Sequence, residues 1–364
     1  MPLYIALFFK LKLSFIFYIL KFIKIFSMKN YIIKFLKWTF TALLGLIFSV
    51  FVYFEINEIP IYNLKVAYKF ITGVSDYEQY EGLAEKLGYS ESDKLLIIHA
   101  DDIGLSKSVN DASFEALKKG LVNSGSIMMT CDYILDVGEF AIKNPEIDLG
   151  LHLTVTSEWR DYKWDGVSNS SSIPSLIDKK GHLFENKKKF TWNANPDDLK
   201  RELQAQINLA KSLGINPTHI DSHEGALFFD QKIFKAYLEV GEENKLPVFV
   251  PKPVAVHFDK SFPKPKNVVI VDNMYMALPD LEFSKWDEYY INVLNNLGPG
   301  LNEIIVHLGY DDKEMQNITV DHPNYGSKWR NLDLDVISSQ EFRKAIEDNN
   351  IKLVTWREIQ NIIY

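Results

Sequence analysis

The stretch Leu95-Leu-Ile-Ile-His-Ala-Asp-Asp-Ile-Gly-Leu-Ser106 decides how this 364-residue chain is read. Four aliphatic residues in a row, bounded by polar ones, suit a strand buried on both faces. Asp101 and Asp102 fall where that strand leaves the core. Neighbouring side chains on a strand point to opposite faces, so both carboxylates reach one cleft only if a turn begins there. Asp and Ser also favour turns and helix N-caps, and a plain capping role before a helix near Ser106 is the alternative.

Outward from this stretch, short apolar runs alternate with helical patterns. Val109, Ala112, Ala116 and Leu117 have helical spacing, and the pattern stops at Gly120, a C-cap residue. Further strands are predicted over 126–130, 147–153, 218–222, 247–250, 268–271, 303–308 and 352–356. Helices are predicted over 133–143, 196–213, 231–244, 283–297 and 340–349. Strands alternating with helices are parallel βαβ units. Seven or eight of them predict an α/β fold, a closed or nearly closed (β/α) barrel related to the TIM barrel, with its site at the C-terminal strand ends. The polar stretch from Thr154 to about Asn195 is long for a connection and reads as a functional loop near the cleft.

Composition is that of a folded protein, not a disordered one: 47% of residues are hydrophobic and 24% charged. The lone cysteine, Cys131, excludes an internal disulfide and a cysteine zinc cluster, and follows an apolar run as a buried, inert thiol would. Residues 1–54 hold seven lysines and no acid, which leaves 33 basic against 48 acidic residues in the remainder, a formal net charge of −15. Such an acidic body repels phosphate backbones, so nucleic acid is not an expected partner.

The N-terminal part has a different character. The run from Trp38 to Phe54 is uncharged, with Lys29, Lys34 and Lys37 before it and Glu55 and Glu58 after it. This predicts a membrane anchor over 38–54, with the N-terminus inside and the bulk of the chain outside the cytoplasm, or a secreted protein if the segment is cleaved. Residues 1–27 are apolar with four lysines, and Met28 is an alternative start. The expected organisation is an extension and anchor over 1–55, a linker over 56–75 and a barrel over 76–364.

Ionisable residues collect at the predicted strand ends. Asp101 and Asp102 are joined by His152 in Gly150-Leu-His-Leu-Thr-Val-Thr156, by His219, Asp221 and His223 in Thr218-His-Ile-Asp-Ser-His-Glu-Gly225, and by His307 in Glu303-Ile-Ile-Val-His-Leu-Gly-Tyr310. A single strand histidine is usually a satisfied core residue. Four on one rim beside a carboxylate pair point to a shared metal or proton-transfer site. One Asp and two His around a divalent ion leave positions open for water and substrate. Zn²⁺ suits imidazoles best, and ligand type alone leaves Mg²⁺, Mn²⁺ or another ion open. His182 and His257 read as surface residues, whereas His322 lies in a loop that follows the His307 strand and could fold over the site.

The segments Ile98–Ser106, Gly150–Thr156 and Thr218–His223 together, in this order, resemble the YdjC-like carbohydrate deacetylases, relatives of chitooligosaccharide deacetylase and more distantly of the polysaccharide deacetylases. The resemblance spans about residues 80–364. It implies a (β/α)-barrel-like fold and hydrolysis of an N-acetyl group on an amino sugar or oligosaccharide. It also implies one divalent ion, Zn²⁺ or Mg²⁺, held by Asp102, His152 and His223, with Asp101 as general base and His307 as acid or substrate-polarising group. His219 and Asp221 are expected to orient the ligands. Trp159, Tyr162, Trp164 and Trp192 are candidates for stacking on sugar rings or for packing. The third motif continues His223-Glu-Gly-Ala-Leu-Phe-Phe229 without the family's further histidines and proline, and the last reads His307-Leu-Gly rather than His-Pro-Gly. These departures bear on the substrate. An esterase of the same fold and a non-catalytic envelope glycan-binding protein are the other two readings.

Overall fold

The computed structural model describes residues 31–56 and 83–364. Residues 1–27, Met28 and, beyond Ile56, the linker expected over 56–75 lie outside them. The chain divides between Ile61 and Tyr62 into two units. In the first, Tyr31–Ile56 forms one helix of 26 residues. Among the described residues no helix is long and apolar enough to cross a membrane. The charge-free run from Trp38 to Phe54 rises only about 25 Å at 1.5 Å per residue, short of a hydrocarbon core of about 30 Å. Thr39, Thr41, Gly45 and Ser49 also interrupt it. The membrane anchor expected over 38–54 is corrected accordingly, and the extracytoplasmic placement falls with it.

In the second unit the strands are β1 (Lys94–Ile103), β2 (Ser124–Ile127), β3 (Leu149–Leu153), β4 (Ile220–Ser222), β5 (Val248–Pro251), β6 (Val268–Val271), β7 (Asn273–Tyr275), β8 (Gly300–His307) and β9 (Lys352–Leu353). They pair in the order β6-β5-β4-β3-β2-β1-β8-β7, all parallel, with β9 beside the start of β1. The two ends of that path are consecutive in the chain, separated only by Asp272. One short segment therefore pairs first with β5 and then with β8, and the sheet curls into a near-closed parallel barrel as the alternation predicts.

Helices cover the outside, and their limits follow local chemistry. Ser106, not either aspartate, caps the helix Lys107–Lys118: its Oγ accepts from the Val109 N–H at 3.1 Å. Pro196 opens the helix Pro196–Ser212 behind an Asn195 cap. The outward face of the strands, including Leu96, Ile98, Ile220, Val248 and Ile304, packs under these helices as apolar core. The inward face is different. Strand alternation turns His99 and Asp101 of β1 toward the interior, with Ser124 and Ser126 of β2, Gly150 and His152 of β3, Asp221 of β4, and Glu303 and His307 of β8. This side of the barrel interior is thus largely polar, and it leads to the C-terminal rim.

Candidate active site

Asp101 and Asp102 both reach the rim because β1 is irregular there. Its pairing with β2 runs His99↔Ser124, Ala100↔Gly125 and then Ile103↔Ile127, so β1 carries one extra residue across the aspartates. Asp102 lies at φ 64°, the left-handed region that few non-glycine residues adopt. This bulge is the turn that two consecutive carboxylates at one cleft require.

Asp102 is buried, and its two oxygens have different surroundings. Oδ2 accepts from Nη2 of the fully buried Arg330 at 2.7 Å. Oδ1 has no hydrogen-bond partner. It lies 3.5 Å from His152 Nε2 and 3.5 Å from His223 Nδ1. Ligand atoms around an ion with bonds of about 2.1 Å lie about 3.4 Å apart in tetrahedral geometry, so this orphaned oxygen and the two nitrogens fit a divalent ion. The far nitrogen of each ring is held by a carboxylate: His152 Nδ1 by Asp221 Oδ1 at 2.7 Å, and His223 Nε2 by Glu158 Oε2 at 3.2 Å. Metal-ligating histidines typically have such partners, which fix tautomer and ring angle. A second grouping, Asp101–His152–Asp221, is also compact. Its shared atom, His152 Nδ1, is already engaged in the short bond to Asp221, so it suits a hydrogen-bonded cluster better than an ion.

The charges follow from these neighbours. Burial alone would raise the Asp102 carboxyl, but Arg330 and the nearby His223 and His307 rings outweigh it and hold the group well below the usual carboxylate range. Asp101 is also lowered: burial opposes this, and His152 and the His99 hydrogen bond prevail. Burial disfavours the charged rings of His152 and His223, yet Asp101 and Asp221 raise the first and Glu158 and Asp102 raise the second well above its ordinary value. His307 goes the other way, pushed down to about 4, chiefly by burial. It stands next to Asp101 in register on β8, and its backbone N–H donates to Asp333 Oδ2 at 2.9 Å.

The long polar loop borders this cluster. Tyr162 donates to Leu105 O at 2.7 Å, which ties the loop to the end of β1. Trp159 and Trp164 are buried, packed on each other, on Tyr162 and against His322 and His223. They build the wall rather than offer a free stacking face. Trp192 is exposed, in the helix Lys187–Asn193. His322 does fold over this region, its ring 5.8 Å from that of Trp159, and Arg160 pairs with Asp321 alongside. His182 is partly exposed and pairs with Asp165 at 2.5 Å. The surface position expected for His257 is corrected: it is buried, its Nε2 2.7 Å from Phe228 O and its ring against Phe234. Cys131 is buried, and burial pushes its thiol well up, as an inert thiol requires.

The structure thus brings Asp101, Asp102, His152, His223 and His307 to one rim, with Asp221 and His219 behind them. Arg330, Asp333 and Glu158 were not singled out from sequence. The first two lie on the helix Ser327–Ser338, more than 200 residues from Asp102, and the third is an ordinary loop glutamate.

A near-closed parallel barrel with a carboxylate–imidazole cluster at its C-terminal rim defines a class of hydrolase-like α/β proteins, and comparison identifies the branch. Residues 95–348 match the model of the YdjC-like protein family. The chain belongs to that family. It is 29% identical over 269 residues to a carbohydrate deacetylase of Thermoanaerobacter pseudethanolicus, covering 72% of this chain and 98% of that one. It is 26% identical over 279 residues to a chitooligosaccharide deacetylase of Yersinia enterocolitica, covering 73% and 99%. Among solved structures it resembles a candidate cellobiose-phosphate cleavage protein of Enterococcus faecalis, with a TM-score of 0.60, 25% identity and coverage of 74% and 99%.

Proposed function

We propose that this protein is a metal-dependent carbohydrate N-deacetylase, hydrolysing the acetamide of an amino sugar or oligosaccharide to acetate and a free amine. Family membership and the named activities of the relatives support the reaction class. The observation that carries metal dependence is Asp102 Oδ1, a buried, unpartnered carboxylate oxygen 3.5 Å from two imidazole nitrogens.

Asp102, His152 and His223 would hold one divalent ion, Zn²⁺ or Mg²⁺. Such an ion supplies Lewis-acid polarisation of the acetyl carbonyl and acidifies water at the site. Asp101, ionised and fixed by the Ser126 hydroxyl at 2.9 Å, takes a proton from the attacking water. The water oxygen bonds to the acetyl carbon, the C–N bond breaks, and the proton passes from Asp101 to the leaving amine. His307, neutral because it is buried, acts as a hydrogen-bond donor that polarises the substrate rather than as a stored proton. Asp221 and Glu158 keep the two imidazoles turned inward. The catalytic domain spans about residues 76–364.

A panel of N-acetylated oligosaccharides against acetyl esters of matched size tests this reading. Acetate release from the acetamides, lost in Asp101→Asn, is expected. Turnover of the esters alone would replace the deacetylase with an esterase.

A further inference from the structure

His99 is the residue of the opening motif for which the reaction above has no use. It is completely buried inside the barrel below the rim. Its Nε2 lies 3.0 Å from Ser126 Oγ, 3.2 Å from Asp101 Oδ1 and 3.3 Å from Asp221 Oδ2. Its Nδ1 lies 3.1 Å from Ser124 Oγ and 3.9 Å from Glu303 Oε1.

The two serines decide the protonation of this ring. A hydroxyl has one proton to give. Ser126 gives its proton to Asp101 Oδ1 at 2.9 Å, and Ser124 gives its proton to Asp148 Oδ1 at 3.0 Å. Each serine oxygen is then an acceptor toward His99, so both ring nitrogens are donors. A ring with two N–H groups is an imidazolium. Its surroundings suit that charge: Asp101 on its own strand, Asp221 on β4, and Asp148 through Ser124; the more distant Glu303 on β8 adds less, because burial pushes its carboxyl up to about 8. The edge of His219, 5.2 Å away between centroids, completes the shell. His219 is itself held neutral, chiefly by burial, so it adds no opposing charge.

We propose that His99 is a positioning residue of the site, a buried imidazolium that locks Asp101 and Asp221 to one another from beneath. Asp101 is the base of the proposed reaction, and Asp221 holds the Nδ1 of the metal ligand His152, so one ring fixes both arms of the site. The inference rests on the deacetylase reading for its effect on rate, but the charge of the ring is independent of it. The shift of His99 well above the usual histidine range, driven by Asp101, Asp221 and Glu303 against the burial that opposes it, agrees with the hydrogen-bond geometry. Without the cation, two carboxylates would face each other in a dry interior, a costly arrangement.

The test uses the full chain labelled with ¹⁵N at its eight histidines. The His99 signals, assigned by their loss in His99→Gln, are expected to show both ring nitrogens protonated from pH 6 to 8. One unprotonated nitrogen at pH 7 would overturn the proposal, whether or not the protein releases acetate. Kinetically, His99→Gln keeps a donor toward Ser126 but loses the charge. It should lower kcat about 10–100-fold with KM changed less than about 2-fold, while metal content stays at the wild-type level. A wild-type kcat in a folded His99→Gln protein would overturn the positioning role. Should that variant fail to fold, His99→Asn takes its place in the kinetic arm, and the wild-type spectrum still decides the charge. A wild-type protein without any deacetylation would remove the proposed function and leave the spectrum as the deciding result for His99.

Discussion

Arg330 Nη2 lies 2.7 Å from Asp102 Oδ2, and both groups are buried. The guanidinium occupies one carboxylate oxygen and leaves the other to the two imidazoles. Arg330 Nε also donates to Tyr325 O at 2.7 Å, so the same side chain anchors the loop that carries His322.

Arg330→Met should therefore be severe. It strands the Asp102 charge in the interior, and removing one partner of a buried pair costs about 3–5 kcal/mol. Urea denaturation of the metal-free variant measures this. Arg330→Lys should rescue little, because an ammonium cannot meet Asp102 and Tyr325 O with the geometry of a planar fork. A loss below about 1 kcal/mol, the level of an exposed pair, would mean that Asp102 is solvated in solution.

Gly150 makes a second, purely steric prediction. A Cβ there would fall 2.3 Å from Cε1 of the buried His219, whose ring also stacks on Trp356 with centroids 4.6 Å apart. A contact that short forces the ring or the strand to shift. Gly150→Ala should destabilise the fold by about 1–3 kcal/mol, read as a lower Tm, with the His152 side of the site displaced as well.

His307 sets a pH dependence. Its ring is pushed down to about 4 in the folded state, against an ordinary value of about 6.5 when unfolded. Between those values the unfolded chain binds more protons, so this contribution is fully present above about pH 6.5 and is lost as pH falls toward 4. The His307 contribution to the stability of the metal-free protein should drop by about 2 kcal/mol between pH 7 and pH 5, read as the difference in slope from His307→Gln, because the raised Glu303 and Asp333 carboxyls change in the opposite sense. His307→Gln should remove that contribution. An unchanged slope would place the charge change elsewhere.

Much of this architecture is legible in the sequence, for a physical reason. Strands such as Leu95–Ala100 and Glu303–Leu308 are buried on both faces or carry single polar residues at the rim, so apolar runs followed by His or Asp mark their ends. The bulge at Asp102 leaves no trace, because a left-handed aspartate has the same letter as any other. Arg330 and Asp333 sit on a helix with an ordinary amphipathic pattern, and only folding brings them beside β1 and β8. His99 gives no signal in the sequence, because a lone histidine inside a strand resembles an ordinary core residue. What distinguishes it, the commitment of Ser124 and Ser126 to carboxylates, is a three-dimensional fact. The apolar run at 38–54 misled in the opposite direction, since lack of charge is only one of the conditions for spanning a membrane.

Metal loading should release protons. His152 and His223 are raised by their carboxylate neighbours in the metal-free protein, and an ion takes only their neutral forms. Affinity should weaken as pH falls. Calorimetry of Zn²⁺ binding in buffers of different ionisation enthalpy reads the proton count, and a count of zero at pH 6 would oppose the assignment of these rings as ligands.

The most direct test joins metal content to turnover in one protein. The full chain is assayed for bound divalent ion and for acetate released from N-acetylglucosamine oligosaccharides, as loaded, after chelation, and as Asp102→Ala. The account predicts about one ion per chain, acetate release that stops on chelation and returns with the ion, and loss of both in the variant. Acetate release that survives chelation and the Asp102→Ala change would contradict it.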